Sequence, residues 1–97
     1  MIFNRIKRYL SHKDNAEKTG VLPLSELNTG DHGILDSINA GKGILGRLTS
    51  LGFTPGVEVV MFQNFHHGPL LVSIRETCVA LGRGEARRIF VHRKGLE

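Results

Sequence analysis

The chain has 97 residues, of which 40% are hydrophobic and 23% are charged, and its formal net charge is +4. This length predicts one domain, and the balanced composition excludes a disordered chain and a collagen-like repeat; no apolar run approaches the roughly 20 residues that cross a bilayer. The single cysteine, Cys78, excludes an internal disulfide framework and an all-cysteine zinc site. Charges interrupt the apolar residues at the N-terminus, unlike those of a secretory signal, so we expect a cytoplasmic protein.

Most of the positive charge lies at the start of the chain. Residues 1–19 contain five basic and two acidic side chains, a balance of +3, whereas the rest of the chain contributes only +1. Apolar residues recur here at the three- and four-residue steps of an amphipathic helix: Ile2, Phe3, Ile6, Tyr9 and Leu10. We therefore predict a basic, partly amphipathic N-terminal extension and linker over residues 1–20. Because so short a helix is marginal alone, residues 1–10 are expected to fray, to dock on the domain or a partner, or to contact an anionic membrane surface weakly.

From residue 21 onward, short apolar stretches alternate with glycine-containing turns, which is typical of a small all-β domain. Residues 23–27 can form one helical turn, and a first strand is predicted near residues 31–39, with Ile34 and Ile38 on one face and Leu35 on the other. Residues 43–52 then change to a helical period, with a single apolar stripe formed by Ile44, Leu45, Leu48 and Leu51. Gly52 is placed to end this helix in the left-handed conformation.

The second half of the domain is predicted to form strands joined by tight turns. Pro55 and Gly56 fit the two central positions of a type II turn, and Arg75–Glu76 is a tight connection between two strands. Strands are predicted over 57–63, 69–74, 77–81 and 89–92, and a short helical turn over 85–88, which gives five strands and one helix in all. Such a sheet is expected to curl into a closed barrel around one core: Ile34, Leu48, Val57, Val59, Val72, Ile74, Val79, Leu81, Ile89 and Val91.

Residue spacing argues against metal binding, phosphate binding and catalysis. The five histidines form no helical i, i+4 pair, and the adjacent His66 and His67 point apart in extended chain, so no metal site is predicted; Cys78 is expected to be a small buried thiol. Residues 39–43 lack the full phosphate-loop pattern, so they are interpreted as a flexible helix entrance. The sequence has no nucleophile elbow, zinc-protease helix or divergent carboxylate pair, so we expect neither an enzyme nor a bound cofactor.

The order and spacing of several short motifs resemble those of one known family. The motifs are Leu24-x-x-Leu27-x-x-Gly30, Arg47-Leu48-x-x-Leu51-Gly52-x-x-Pro55-Gly56-x-x-Val59, Gly68-Pro69, Val79-Ala80-Leu81 and Ala86-x-x-Ile89-x-Val91. Together they resemble the ferrous iron transport protein A family, FeoA, from about Leu22 to Lys94. The resemblance implies a FeoA-like domain over residues 21–95 with an SH3-like five-stranded β-barrel. It also implies a non-enzymatic accessory to the FeoB-type ferrous iron transporter, whose cytoplasmic part is a GTP-binding domain.

A partner-binding surface is predicted around the helix and the basic residues near the C-terminus. Its expected members are Lys42, Leu45, Arg47, Phe53, Arg83, Arg87 and Arg88. Nucleic acid is not the expected partner, because base stacking would require aromatic side chains beside this charge and only Phe90 lies in the basic stretch. Two alternatives stay open: a small basic barrel that binds nucleic acid, and an iron chaperone or sensor that binds metal through His66 and His67. The oligomeric state does not follow from the sequence.

Overall fold

The computed structural model describes residues 20–94, which form six strands, two short helices and a 3-10 turn. The predicted extension over residues 1–20 therefore lies outside the described residues except for Gly20, and so does its membrane contact. The elements, in chain order, are β1 (Val21–Pro23), the 3-10 turn (Leu24–Glu26), β2 (His32–Ile38), α1 (Lys42–Ser50), β3 (Glu58–Gln63), β4 (Leu70–Ile74), β5 (Thr77–Leu81), α2 (Arg83–Ala86) and β6 (Ile89–Lys94). The predicted mainly β fold with one longer helix is confirmed.

All six strands belong to one antiparallel sheet in the order β1-β6-β2-β3-β4-β5. The predicted number of five strands is wrong because the chain pairs Val21–Pro23 with β6 before it enters the 3-10 turn. The expected closure is also incomplete: β1 and β5 lie at the two ends of this order and do not pair with each other. The sheet is therefore barrel-like only in a loose sense, and it keeps two edges.

A β-bulge in β2 explains why the predicted faces of this strand were wrong. Leu35 lies opposite Val91 and Ile38 lies opposite Ile89, so one extra residue, Asp36, is inserted between the paired positions. Leu35 is buried in the core and Ile38 packs against it, although the two are three residues apart, whereas Ile34 is only partly buried and does not belong to the core cluster. Simple alternation cannot place both residues correctly, because the bulge changes the phase halfway along the strand.

The core lies under the curved sheet and is completed by the 3-10 turn, α1 and α2. Seven of the ten predicted core residues are buried, and Val57 and Val79 are partly buried and pack against them. The core also contains buried residues that the sequence reading did not include: Leu24, Leu27, Leu35, Phe53, Met61, Leu70 and Ala86. Gly33 allows close packing here, because a Cβ at this position would lie 3.1 Å from Cγ2 of Val91.

Candidate partner-binding surface

Helix α1 projects part of its predicted apolar stripe away from the core. Leu48 is fully buried and Ile44 packs against the core, but Leu45 and Leu51 are 38% and 39% exposed. The predicted apolar stripe is therefore divided between the core and the surface. Lys42 and Arg47 are exposed on the same helix, so α1 presents apolar side chains next to basic ones.

The end of α1 determines where Phe53 goes. The N–H of Gly52 donates to the carbonyl of Thr49 and the N–H of Phe53 donates to that of Leu48, both at 3.0 Å, which is the Schellman arrangement. Gly52 has φ of +108°, as this motif requires. The reversal directs Phe53 into the same buried cluster as Leu48, and Phe53 is fully buried. The expectation that Phe53 lies on a docking surface is therefore wrong, because its ring belongs to the core.

An ion pair joins the two helices. Arg47 Nη1 donates to Glu85 Oε2, and the other carboxylate oxygen, Oε1, accepts from the backbone N–H of Gly82 at 3.3 Å. Glu85 thus caps the start of α2 and holds the guanidinium of α1 beside it. The carbonyl of Arg88 also accepts from the N–H of Asn39, at 2.8 Å, just before α1. These bonds bring the two predicted basic segments together although they are about forty residues apart in sequence.

The side chains of the C-terminal arginines have different environments. Arg83 donates from Nη1 to the carbonyl of Gly68 and from Nη2 to Oδ1 of Asn64, both at 2.9 Å, so this residue holds the β3–β4 loop against α2. Arg87 and Arg88 are exposed. We name as the helical surface the exposed predicted residues that α1 and α2 bring together: Lys42, Leu45, Arg47, Arg87 and Arg88.

Asn64 is a buried polar residue that the sequence reading did not single out. Its amide nitrogen donates to the carbonyls of Ser25 and Leu27 at 3.0 and 2.7 Å, and its Oδ1 accepts from the N–H of His66 at 2.8 Å and from Arg83. The bond to His66 closes an Asx turn. An asparagine at the end of a predicted strand is the feature of the sequence that could have indicated this turn. Asn64 therefore fixes the β3–β4 loop to the 3-10 turn, and the loop presents Phe65, which is 61% exposed.

The candidate metal ligands are spread over the surface. His66 and His67 are exposed in the β3–β4 loop, and His66 has a left-handed backbone with φ of 68°. Cys78 is exposed on β5, so the prediction of a buried thiol is wrong: the side of the strand that carries Cys78 and Ala80 faces outward. Within residues 20–94, no three His, Cys, Asp or Glu side chains are close enough together to hold a metal ion.

The outer face of the sheet around β2 and β6, which we call the charged half, carries His32, Glu58, His92 and Lys94. Glu58, the first residue of β3, has its Oε2 2.7 Å from Nδ1 of His32 on β2 and its Oε1 3.3 Å from Nζ of Lys94 on β6. The hydrogen bond from His32, followed by that from Lys94, lowers the pKa of Glu58 below the ordinary value of a glutamate. Asp36, the bulge residue, lies 3.2 Å from Nε2 of His92.

Apart from Glu58 at the start of β3, the outer face over β3, β4 and β5 has no charged side chain. We call it the uncharged half, and its residues are Val60, Phe62, Gln63, Leu71, Ser73, Cys78 and Ala80. A second bulge lies between Met61 and Gln63, and Phe62, at the bulge, is 52% exposed.

None of the helices in the described part of the chain is long and apolar enough to cross a membrane.

Comparison with known proteins identifies the domain. Residues 22–93 match the family model described as the FeoA domain. A protein of Methanocaldococcus jannaschii provisionally named Fe(2+) transport protein A is 35% identical over 69 residues, which cover 71% of this chain and 83% of that protein.

Two solved structures are also similar. The crystal structure of an iron uptake regulatory protein, FeoA, is 35% identical with a TM-score of 0.73 and covers 76% of this chain and 99% of its own. A FeoA from Stenotrophomonas maltophilia, crystallised with zinc, is 34% identical with a TM-score of 0.68 and covers 75% of this chain and 95% of its own. It is described as an SH3 domain protein and a candidate activating factor of ferrous iron transport. The SH3-like class predicted for the present domain is confirmed by this likeness.

Proposed function

Because this chain belongs to the FeoA domain family, we propose that it is a non-enzymatic accessory module of a bacterial ferrous iron uptake system and that it docks on a FeoB-type transporter. The relatives named above are associated with ferrous iron transport, and one of them is described as a candidate activating factor. In this proposal the module acts in the cytoplasm, and residues 21–95 form the docking unit.

The observation that carries the docking proposal is the helical surface. Leu45 and, on the same helix, Leu51 are exposed apolar side chains, and the bond to Glu85 holds the side chain of Arg47 beside α2. An apolar centre with a charged rim is the usual composition of a protein interface, and the rim charges mainly increase the association rate and the specificity. The surface therefore suits an acidic, partly apolar patch on the transporter.

Regulation of the transporter would follow from state-selective binding. A bound module shifts the equilibrium between two transporter states only by the difference between its affinities for them. We therefore expect different dissociation constants for the GDP-bound and GTP-bound forms of the cytoplasmic domain.

Calorimetric titration against the soluble cytoplasmic domain of the cognate transporter, in GDP and GTP-analogue states, tests the proposal. The double variant Arg87→Ala/Arg88→Ala is expected to weaken binding by about tenfold or more, as loss of rim charges does when they face an acidic patch. The matched control, Arg75→Ala/Lys94→Ala, removes the same charge from exposed positions outside the helical surface and should bind like the wild type. Undetectable binding to both states, or equal loss in both variants, would reject docking through this surface.

A further inference from the structure

The two edges of the sheet differ in how well they are protected against pairing with another strand. Strand β1 has three residues and contains Pro23, which has no N–H to donate. Strand β5 has five residues, Thr77–Leu81, with no charge, proline, glycine or bulge. Regular and uncharged edges are those to which other strands add most readily, so among residues 20–94 β5 is the edge open to pairing.

The hairpin register shows which backbone groups of β5 point outward. Arg75 and Glu76 form a two-residue turn with φ of 50° and 67°, as in a type I′ turn, and Ile74 pairs with Thr77 directly beside it. Residues that flank such a turn exchange both hydrogen bonds, so Thr77, Val79 and Leu81 direct their N–H and C=O groups to β4. The N–H and C=O groups of Cys78 and Ala80 therefore point to the open edge, and both residues are exposed.

The edge continues the uncharged half of the sheet. Ala80 lies opposite Leu71 and Cys78 lies opposite Ser73 on the outer face, and Leu71 in turn lies opposite Gln63 of β3. An added strand would therefore extend an uncharged face as well as the hydrogen-bonded ladder. The edge and this face offer one continuous surface.

We propose that β5 pairs antiparallel with β5 of a second copy of this chain, about a two-fold axis at Val79, which joins the two sheets into one. This register uses all five residues of each strand and places Cys78 of one copy opposite Ala80 of the other. The proposed dimer is independent of the function proposed above, because its interface contains none of the residues of the helical surface.

Charge favours a second copy as the partner. Two molecules that each carry a net charge of +4 associate most readily through a surface without charge, and β5 with the uncharged half is such a surface. The charged residues stay outside the paired segment: in this register Arg83 of one copy lies opposite Arg75 and next to Glu76 of the other. The five paired residues of each strand therefore bury no charge.

The register makes a specific prediction for cross-linking. Hydrogen-bonded antiparallel neighbours have Cα atoms about 5.5 Å apart, within the range of a disulfide, so Cys78 and residue 80 of the other copy can be bridged. The two Cys78 residues are diagonal neighbours at about 7 to 8 Å, which is too far for a disulfide. Oxidised wild type should therefore stay mostly uncross-linked, whereas the A80C variant should form covalent dimers.

The experiment combines sedimentation of the full-length chain over a wide concentration range with oxidation of the A80C variant. We expect a reversible wild-type dimer and an Ala80→Lys variant whose dimer dissociates at concentrations about tenfold higher or more, because two like charges then lie across the two-fold axis. The control Thr49→Lys adds the same charge to an exposed residue of α1 and should dimerise like the wild type. Near-identical thermal unfolding of both variants would exclude misfolding as the cause.

Three results would overturn the proposal. The first is a wild type that stays monomeric at every concentration tested. The second is a dimer that Ala80→Lys leaves unchanged and that the A80C variant does not cross-link, which would place the interface elsewhere. The third is a dimer that is lost when residues 1–19 are deleted but persists in Ala80→Lys. This result would show that residues 1–19, and not β5, form the interface.

Discussion

The charged and uncharged halves of the outer face belong to the same sheet and cover the same core, but they deal with their polar groups in opposite ways. In the charged half, Glu58 bonds to His32 and Lys94, and Asp36 lies beside His92, so its ionised groups have partners within the domain. The uncharged half has few polar side chains, and Asn64, the polar residue that directly follows β3, is buried instead of lying on this face. Surface groups that are already paired within the domain contribute little to binding a partner. The surfaces available for binding are therefore the uncharged half and the part of the helical surface formed by Lys42, Leu45, Arg87 and Arg88, since Arg47 is already paired with Glu85.

The same difference predicts where stability is sensitive to mutation. Exposed ion pairs contribute at most about 1 kcal/mol, because water and salt screen them. Buried groups that lose a hydrogen-bond partner cost more, since they cannot recover it from water. We therefore expect the largest effects at Asn64, smaller ones at the close contact under β2, and the smallest at Glu58.

Asn64→Ala should lower the free energy of unfolding by about 3 kcal/mol, measured by urea denaturation. The variant leaves the carbonyls of Ser25 and Leu27 without the amide donor of Asn64, and it removes the acceptor of Arg83 Nη2. Asn39→Ala, at an exposed asparagine, is the matched control and should change stability by less than about 0.5 kcal/mol. Equal effects in the two variants would contradict the anchoring role of Asn64.

Gly33→Ala tests the contact beneath the charged half. A Cβ at this position would lie 3.1 and 3.2 Å from Cγ2 and Cβ of Val91 and 3.3 Å from Cδ1 of Leu27, so β2 or these side chains must move. We expect a loss of about 2 kcal/mol in thermal or urea unfolding, typical of overpacking.

Gly46→Ala is the control for that substitution and should have the opposite sign. Gly46 lies inside α1, and a Cβ there meets nothing within 4 Å. Alanine restricts the unfolded chain and favours the helix, so stability should rise by about 0.5 kcal/mol. A stabilising Gly33→Ala would show that the packing around Val91 is loose.

Features that depend on local chemistry could be predicted from the sequence. The Pro55–Gly56 turn is present as expected: Gly56 has φ of 92°, and the N–H of Val57 donates to the carbonyl of Thr54 at 3.1 Å. Gly52 also ends α1 in the left-handed region, as its position indicated. In both cases a single residue type supplies a backbone conformation that others rarely adopt, so a short window of sequence is sufficient.

Features that depend on the rest of the fold could not be predicted in this way. Alternation along β5 puts Cys78 and Ala80 on one side, but only the tertiary fold shows that this side is exposed and that β5 lies at an edge of the sheet. The sequence identified Gly52 as a helix end, yet it did not indicate that the reversal buries Phe53. The candidate surface was found in part: its charges were evident, whereas the bond between Arg47 and Glu85 and the structural use of Arg83 require tertiary contacts.

The smallest predicted effect is the contribution of Glu58 to the pH dependence of stability. Its carboxylate accepts hydrogen bonds from His32 and Lys94, which lower its pKa in the folded protein relative to the unfolded chain. A lowered folded pKa means that the stabilisation is complete above the unfolded pKa and is lost as the pH falls through the folded pKa. NMR titration of the side chain should therefore give a midpoint below that of an ordinary glutamate.

Variants of the two partners rank their contributions to this shift. His32→Ala should raise the pKa of Glu58 more than Lys94→Ala does, because the hydrogen bond from His32 is the larger cause of the shift. The difference in unfolding temperature between wild type and Glu58→Gln should shrink as the solution is acidified below the ordinary range of a glutamate. If the pKa of Glu58 is the same in wild type, His32→Ala and Lys94→Ala, these contacts do not persist in solution. The charged half would then lack the internal ion pairs that distinguish it from the uncharged half.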